Sequence, residues 1–395
     1  VLLLKARNNK TFLPMKLKSI KWTSYRLPFA GQFNTAQGDL KAREGAIIRL
    51  ETDNGLVGLG EAAPLPEFGG GTLADVLTLL KNYAPDFAGS EVATLNSQLD
   101  AWLERGGPGV AALACGLDMA NCDLLAQEAN QPVASFLIKN PPSRIYALRG
   151  DEAKIQNFTV PVNATIGLAG QKEAVQAAKR AVEVGFDCIK LKVGMAATVS
   201  QEIERVAAVR AAIGGSVKLR LDANGAWTAA RAIEILKALT EYDIELVEQP
   251  TAAFDLQRLA SVREAVTIPI AADEPMTSVN AARQIIQTGA ADILVIKPMV
   301  VGGLRAGRQI IELAEAAGLR AFVTTTLDSG VGIAGALHLA ATLPEPRLHC
   351  GLATATLLTN TLVTNLPEVK AGKMKLAAGP GLGVSLENAI AAEFN

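Results

Sequence analysis

The chain reads as an α/β protein built on a β/α barrel, and three features of the sequence predict this. Between residues 187 and 297 short apolar strands recur (DCIKLKVG, VKLRLDANGAW, IELVEQP, IPIAADEP, DILVIKP), each ending in a charged residue. Stretches rich in Ala, Glu, Arg and Leu separate them. Strand and helix therefore alternate at about 25–30 residues per unit, the period of βαβ units feeding a parallel sheet. The charged residues Lys190, Lys192, Asp222, Glu248, Asp273 and Lys297 gather at the carboxyl ends of these strands. A parallel strand is buried on both faces and tolerates charge poorly along its length. In a β/α barrel the carboxyl end is where the active site forms.

Composition narrows the function. With 395 residues, 49% of them hydrophobic and 19% charged, the chain can bury a substantial core and form more than one domain. Lys and Arg total 38 against 39 Asp and Glu, so there is no basic field for a nucleic acid. The opening VLLL is interrupted by Lys5 and Arg7, too short for a signal or membrane segment, and no membrane partner is expected. Cys115, Cys122, Cys188 and Cys350 lack metal-ligand spacing and read as reduced, buried thiols of a cytoplasmic protein.

Residues 1–150 are expected to form a domain of strands and helices, with 1–14 an extension ahead of a natural-looking start at Met15. Alternation from Leu17 to Phe29 predicts a strand, and the polar AGQFNTAQGDLKAREG after it predicts a loop. Two strand patterns then meet at Asp53-Asn54-Gly55, a hairpin signal because Asn and Gly accept positive φ. A Gly-rich tip, 65–71, precedes a helix capped by Thr72, and helical patterns cover 73–84, 91–104 and 109–129. Both Gly-rich loops are candidates for a lid over the barrel mouth. Residues 139–158 read as linker and insertion.

The barrel is expected over 151–355, beginning at Val160. Helix and strand alternate through 171–184, 187–193, 200–213, 217–222, 228–240, 244–248, 256–265, 268–273, 278–289, 292–297, 303–317, 320–326 and 331–342. RLHCGLAT supplies a terminal strand, giving seven units and an eighth strand without its helix. Residues 356–395 are expected to return to the first domain.

Asp222, Glu248 and Asp273 lie one unit apart and contain no His or Cys among them. Such an oxygen-only set suits a hard cation, Mg²⁺ first and Mn²⁺ as an admissible substitute. Asn224 and Gln249 are candidates to support these ligands from behind, although capping explains either equally well. Glu274, the neighbour of Asp273, is expected to point away, since strand neighbours alternate faces. Lys190 and Lys192 share one face of their strand, and Lys297 approaches from across the barrel. A lysine among other cations loses its proton more readily, as general-base work requires. The set points to proton removal beside a carboxylate.

These motifs (KLKVG, LRLDANGAW, ELVEQP, IAADEP, VIKPMVVGGL) resemble the muconate-cycloisomerase subgroup of the enolase superfamily, whose known sites combine Lys with Mg²⁺. The resemblance runs from Met15 to near the end. It implies a modified (β/α)7β TIM-type barrel carrying an α+β capping domain. It also implies Mg²⁺ on Asp222, Glu248 and Asp273, Lys192 and Lys297 as the acid/base pair, and Lys190 beside the substrate carboxylate. The partner is then a small carboxylate substrate, and homo-oligomerisation is compatible with such a chain.

Within the subgroup, VTTTLDSGVGIAGALHLAATLP resembles the Ser-rich strand of o-succinylbenzoate synthases, with Thr324 and Thr325 replacing Ser. HCGLATATLL resembles their CGLGTG-type segment, with Ala353 replacing Gly. Substrate contacts are thereby expected at Thr325, Thr326, Asp328, Ser329 and Gly351. Dipeptide epimerases usually carry an Asp-x-Asp pair in that segment, and this chain does not. The resemblance therefore implies a dehydratase of menaquinone synthesis, with N-succinylamino acid racemase, muconate cycloisomerase and dipeptide epimerase as alternatives.

Overall fold

A computed structural model of the protein describes residues 15–35, 38–66, 70–141, 159–167, 170–377 and 379–394. The extension at 1–14, the glycine at 69 and most of the 139–158 insertion lie outside the described residues. An antiparallel sheet of β1 (Leu17–Thr35), β2 (Gly38–Thr52) and β3 (Val57–Ala62) forms the first layer. The Asp53–Gly55 turn joins β2 to β3 as expected, with Gly55 at φ +87°. The polar loop expected after Phe29 is instead the end of a long hairpin, pairing Phe33 with Leu40 and Thr35 with Gly38. Backbone groups make this ladder, and the polar sequence here carries no apolar alternation to announce it.

Four helices follow: α1 (Leu73–Phe87), α2 (Leu95–Arg105), α3 (Val110–Glu128) and the unanticipated α4 (Val133–Lys139). Thr72 and Asp75 close a reciprocal capping box on α1, satisfying two of the amides that a helix start leaves unpaired. Helix α3 lies against β3 because two strand residues lack side chains. A Cβ at Gly60 would sit 1.9 Å from the Gly116 carbonyl oxygen, and one at Gly58 2.2 Å from that of Ala120.

Seven parallel strands pair in chain order: β5 (Ala164–Ile166), β6 (Cys188–Lys192), β7 (Lys218–Asp222), β8 (Ile244–Glu248), β9 (Ile270–Ala272), β10 (Ile293–Ile296) and β11 (Arg320–Val323). Their connections carry α5 (Gln171–Glu183), α6 (Val199–Ile213), α7 (Ala229–Ala238), α8 (Leu256–Ala265), α9 (Val279–Gln287), the short α10 (Pro298–Val301) and α11 (Leu304–Ala316). Helix α12 (Gly330–Ala340) comes next. The eighth strand is reduced to parallel bridges, Val162 with Cys350 and Thr324 with Gly351, which join the two ends of the sheet. A 3₁₀ turn, Ala355–Leu357, follows where an eighth helix would begin.

The barrel sheet starts at β5. The expected first strand at Val160 is β4 (Thr159–Pro161), which pairs antiparallel with β13 (Lys373–Lys375), itself beside β12 (Val369–Lys370). The tail ends in α13 (Asn388–Ala392), and the carbonyl of Phe394 accepts from Lys21 of β1. Among the described residues no helix is long and apolar enough to cross a membrane.

Carboxylates stitch the first layer to the barrel. Asp118 of α3 accepts from the backbone N–H groups of Leu304 (2.7 Å) and Arg305 (3.1 Å), capping α11, while the Arg305 side chain closes on its other oxygen at 2.6 Å. The helix start carries positive partial charge, so a buried carboxylate is at home there. His338 of α12 makes a second junction. Its Nδ1 accepts from Ala134 N–H of α4, and its Nε2 meets the Leu382 carbonyl of the tail.

Burial pushes His338 down to about 4 from its ordinary 6.5, opposed by the Leu382 carbonyl. The ring is therefore neutral in the fold, and the unfolded chain binds the extra proton. Stability from this group is fully present above pH 6.5 and is lost as the pH falls towards 4, by on the order of 3 kcal/mol. We expect the thermal midpoint of the protein to fall over that window and His338→Gln to remove part of the slope. Identical slopes in the two proteins would show that His338 does not carry it.

Candidate active site

Lys190 and Lys192 project from one face of β6, two residues apart, while Ile189 and Leu191 on the opposite face are fully buried. On the neighbouring strands Asp222 ends β7 and Glu248 ends β8, and Asp273 follows β9. Lys297 follows β10, where Pro298 at the start of α10 terminates the strand. The structure thus brings all six strand-end charges together. Lys190 Nζ bridges Asp222 Oδ2 (2.8 Å) and Glu248 Oε1 (2.7 Å). Lys192 Nζ donates to Asp222 Oδ2 and Asn224 Oδ1, both at 2.6 Å, and Lys297 pairs with Asp273.

The electrostatics follow from burial and from how the ammonium groups are shared. Burial opposes charge on Lys190, but Asp222, Glu248 and Asp273 outweigh it and hold the group above the ordinary lysine range. Burial would likewise raise Asp222, yet Lys190 and Lys192 pull it below the usual carboxylate range. Glu248 is pushed up to about 7 by burial and then by the charge of Asp222, with which it shares Lys190. Asp273 is also raised by burial, against the pull of Lys297.

Both candidate supporting residues lie in the cluster. Gln249, at φ +39°, accepts from Asp273 N–H (3.1 Å) and donates to the Thr251 carbonyl (2.9 Å). Asn224 faces Lys192 with its oxygen and donates its Nδ2 to Glu274 Oε1 at 3.0 Å. Glu274 therefore turns towards the site, contrary to the expectation from alternation. Strand β9 ends at Ala272, so Asp273 and Glu274 already lie in a turn where the two-residue period no longer applies. Pro275 was the available signal, because the residue before proline marks an element boundary.

The donor set fits a hard divalent cation. It is made of oxygen only, and Glu248 Oε2 is buried without a hydrogen-bond partner among the described residues, a costly arrangement that a cation would relieve. A tighter set of ligand-type atoms, within 4.8 Å of one another, is Cys188, Glu245 and His349, which spacing along the chain did not reveal. That set already has its cation. Arg220 lies on the Asp222 face of β7, one layer deeper in the barrel. It donates to Glu245 Oε2 (2.5 Å) and the His349 carbonyl (2.6 Å) and stacks on Phe322 at 5.1 Å. Burial pushes the Cys188 thiol up to about 12, which disfavours a thiolate ligand.

The residues expected to meet substrate divide into two groups. Thr325 Oγ1 lies 3.0 Å from Thr354 Oγ1, and Thr324 Oγ1 donates to the Gly351 carbonyl at 3.0 Å. Gly351 is needed there, since a Cβ would fall 2.4 Å from Thr324 Oγ1. Thr326, Asp328 and Ser329 belong instead to a buried network with the first layer. Thr326 donates to Asp328 (2.5 Å). Glu61 of β3 accepts from Ser329 N–H (2.8 Å), Ser329 Oγ (2.5 Å), Gly332 N–H (2.7 Å) and Tyr25 Oη (2.5 Å). Arg43 of β2 donates to the carbonyls of Thr326 (3.1 Å) and Pro64 (2.6 Å). Burial and then Glu61 push Asp328 up to about 6, against Arg43. Nothing in the sequence near 325–329 pointed to Glu61 or Arg43, which lie 268 residues before Ser329 and 283 before Thr326 respectively.

Residues 173–390 match the family described as Enolase C-terminal domain-like, and residues 20–137 match the Mandelate racemase / muconate lactonizing enzyme, N-terminal domain. A hydrophobic dipeptide epimerase of Enterococcus faecalis is 30% identical over 377 residues, covering 94% of this chain and all of the relative. An o-succinylbenzoate synthase of Thermobifida fusca is 39% identical over 201 residues, 51% of this chain and 61% of that one. The structure of the dipeptide epimerase from Enterococcus faecalis V583 complexed with Mg and the dipeptide L-Leu-L-Tyr superposes with a TM-score of 0.83 at 29% identity, covering 94% of this chain and 99% of that one.

The Glu61 network yields a direct test. Glu61→Ala leaves four donors without their acceptor inside the junction, and we expect a loss of about 3 kcal/mol or more in stability. Denaturant titration measures it, and a change below about 1 kcal/mol would mean that the network is dispensable.

Proposed function

We infer that this chain, which belongs to the enolase superfamily through its mandelate racemase/muconate lactonizing enzyme branch, takes a proton from the carbon beside a substrate carboxylate. Within that chemistry we read it as an o-succinylbenzoate synthase. It would dehydrate a succinyl-hydroxycyclohexadiene carboxylate to o-succinylbenzoate in menaquinone biosynthesis, in the cytoplasm. The observation that carries this choice is the end of the eighth strand. Gly351, Leu352, Ala353 and Thr354 offer no charged side chain, and the Thr325–Thr354 hydroxyl pair stands beside them. Such a neutral lining suits a substrate without an ammonium group. The resemblance of HCGLATATLL to the corresponding synthase segment and the Thermobifida fusca relative support the same choice.

Asp222, Glu248 and Asp273 would hold Mg²⁺, with Mn²⁺ able to substitute, and the cation's charge would offset the negative charge that builds on the substrate carboxylate. Lys192, as a neutral amine, takes the α-proton, and the bonding electrons move into the carboxylate to give an enediolate. The Lys192 ammonium then returns that proton to the departing hydroxyl, and water leaves as the ring double bond forms. Lys297 acts as a fixed positive charge on the opposite side, and Lys190 beside the carboxylate. Buried positive groups stabilise developing anionic charge more strongly than they would in water. A second reading, racemisation or epimerisation of an N-succinylamino acid or a dipeptide, is favoured by the presence of a lysine on each side and by the full-length likeness to the Enterococcus faecalis epimerase.

Asp222→Asn, Glu248→Gln and Asp273→Asn should each abolish turnover and leave far-UV circular dichroism unchanged. Full activity after thorough chelation would sink the assignment. The lysines separate the two readings. Lys192→Ala should lose essentially all dehydration. Lys297→Arg keeps its charge but is effectively never deprotonated, so it should retain measurable dehydration and lose racemisation. Deuterium exchange into both enantiomers of a succinylamino acid reads this out: the Lys297→Arg protein should exchange one enantiomer only. Equal exchange from both would remove Lys297 as the second base.

A further inference from the structure

We propose that Glu274 is a positioning residue that aims the proton-transferring lysine, acting through the side-chain amide of Asn224. This rests on the reading of Lys192 as the acid/base. Glu274 Oε1 accepts from Asn224 Nδ2 at 3.0 Å, and Asn224 Oδ1 accepts from Lys192 Nζ at 2.6 Å. An amide can present either its nitrogen or its oxygen to a neighbour, but a carboxylate has only acceptors. Glu274 therefore holds the Asn224 nitrogen, and the oxygen is left for Lys192. The Asn224 backbone is pinned as well, at φ +43° and with its N–H on Asp222 Oδ1 at 3.0 Å, so only the amide rotor is free to be set.

The consequence falls on Lys192. Its Nζ donates to two acceptors, Asn224 Oδ1 and Asp222 Oδ2, each at 2.6 Å. A neutral amine keeps two N–H groups. With both engaged, the lone pair lies along the one tetrahedral direction that neither acceptor occupies. A flipped Asn224 would aim an N–H at Nζ, tying up the lone pair of the amine and repelling the ammonium. Lys192 is also the most open of the three lysines, its side chain 29% exposed against 12% for Lys190 and 9% for Lys297. A directed lone pair there meets a substrate at the mouth. The second oxygen of Glu274 is buried with no hydrogen-bond partner among the described residues; the charge of Lys297 also acts on this carboxylate, and the amide of Asn224 is the hydrogen bond that orients it.

A double-mutant cycle with Asn224→Asp tests this, because a carboxylate at position 224 accepts from Lys192 whatever stands at 274. Rates are measured on whichever of the dehydration substrate, a succinylamino acid or a dipeptide the unsubstituted protein turns over. Glu274→Leu alone should lower kcat by about 10²-fold at a similar KM, the size of loss expected from a misaimed reacting group. Glu274→Gln, which keeps an acceptor, should recover most of it. In the N224D background Glu274→Leu should cost no more than about twofold, within the range of independent sites. An equal loss in both backgrounds, or a loss confined to KM, would overturn the positioning role and leave the functional reading intact. Turnover of none of the three substrates by the unsubstituted protein would overturn that reading and this role with it.

Discussion

The structure depends on one constraint: seven strands must bury both faces, so their charges can survive only where the strands end. There the lysines of β6 and the lysine after β10 meet the carboxylates that end β7 and β8 and follow β9. No member of the cluster could be buried alone, since an unpaired charge in a low-dielectric interior costs several kcal/mol. Together they divide the charge unevenly. Asp222, shared by two lysines, is held below the usual carboxylate range, while burial and the charge of Asp222 push Glu248 up to about 7. That unevenness follows from which carboxylate shares which lysine.

The same physics joins the first layer to the barrel. Asp118 and Glu61 each bring a carboxylate from outside the barrel to the start of a barrel helix, α11 and α12, where several unpaired N–H groups await acceptors. Since Glu61 and Arg43 both grip the segment 326–332, the antiparallel layer shapes the wall next to the Thr325–Thr354 pair. Domain packing thereby reaches the residue next to that pair through one short segment. Asp328 and Ser329, expected from the sequence to touch substrate there, take part in that link.

The deeper Arg220 layer shows how the barrel handles charge away from the mouth. Cys188, Glu245 and His349 would suit a metal by element type, but a guanidinium stacked on Phe322 already balances the glutamate. Ligand-type residues in proximity are thus insufficient. The strand-end set differs in its chemistry: it is made of carboxylate oxygens alone, whereas the deeper set includes a thiol that burial keeps protonated.

The chain alone determined the barrel, its seven units and the six strand-end charges, because burial on both faces and the strand–helix period leave a mark on local sequence. It also determined the hairpin at Gly55 and the cap at Thr72, where one residue's chemistry sets the backbone. Only the tertiary structure decided the rest. Glu274 faces Asn224 because β9 stops one residue before Asp273, and where a strand stops depends on its neighbours. Glu61 and Arg43 reach the 326–332 segment because the antiparallel layer docks there. Phe33–Thr35 pair with Gly38–Leu40 because two backbones satisfy each other, a pairing to which side-chain patterning is blind. Contacts between residues hundreds of positions apart carry no local signature, since each partner is chosen by packing and not by its neighbours in the chain.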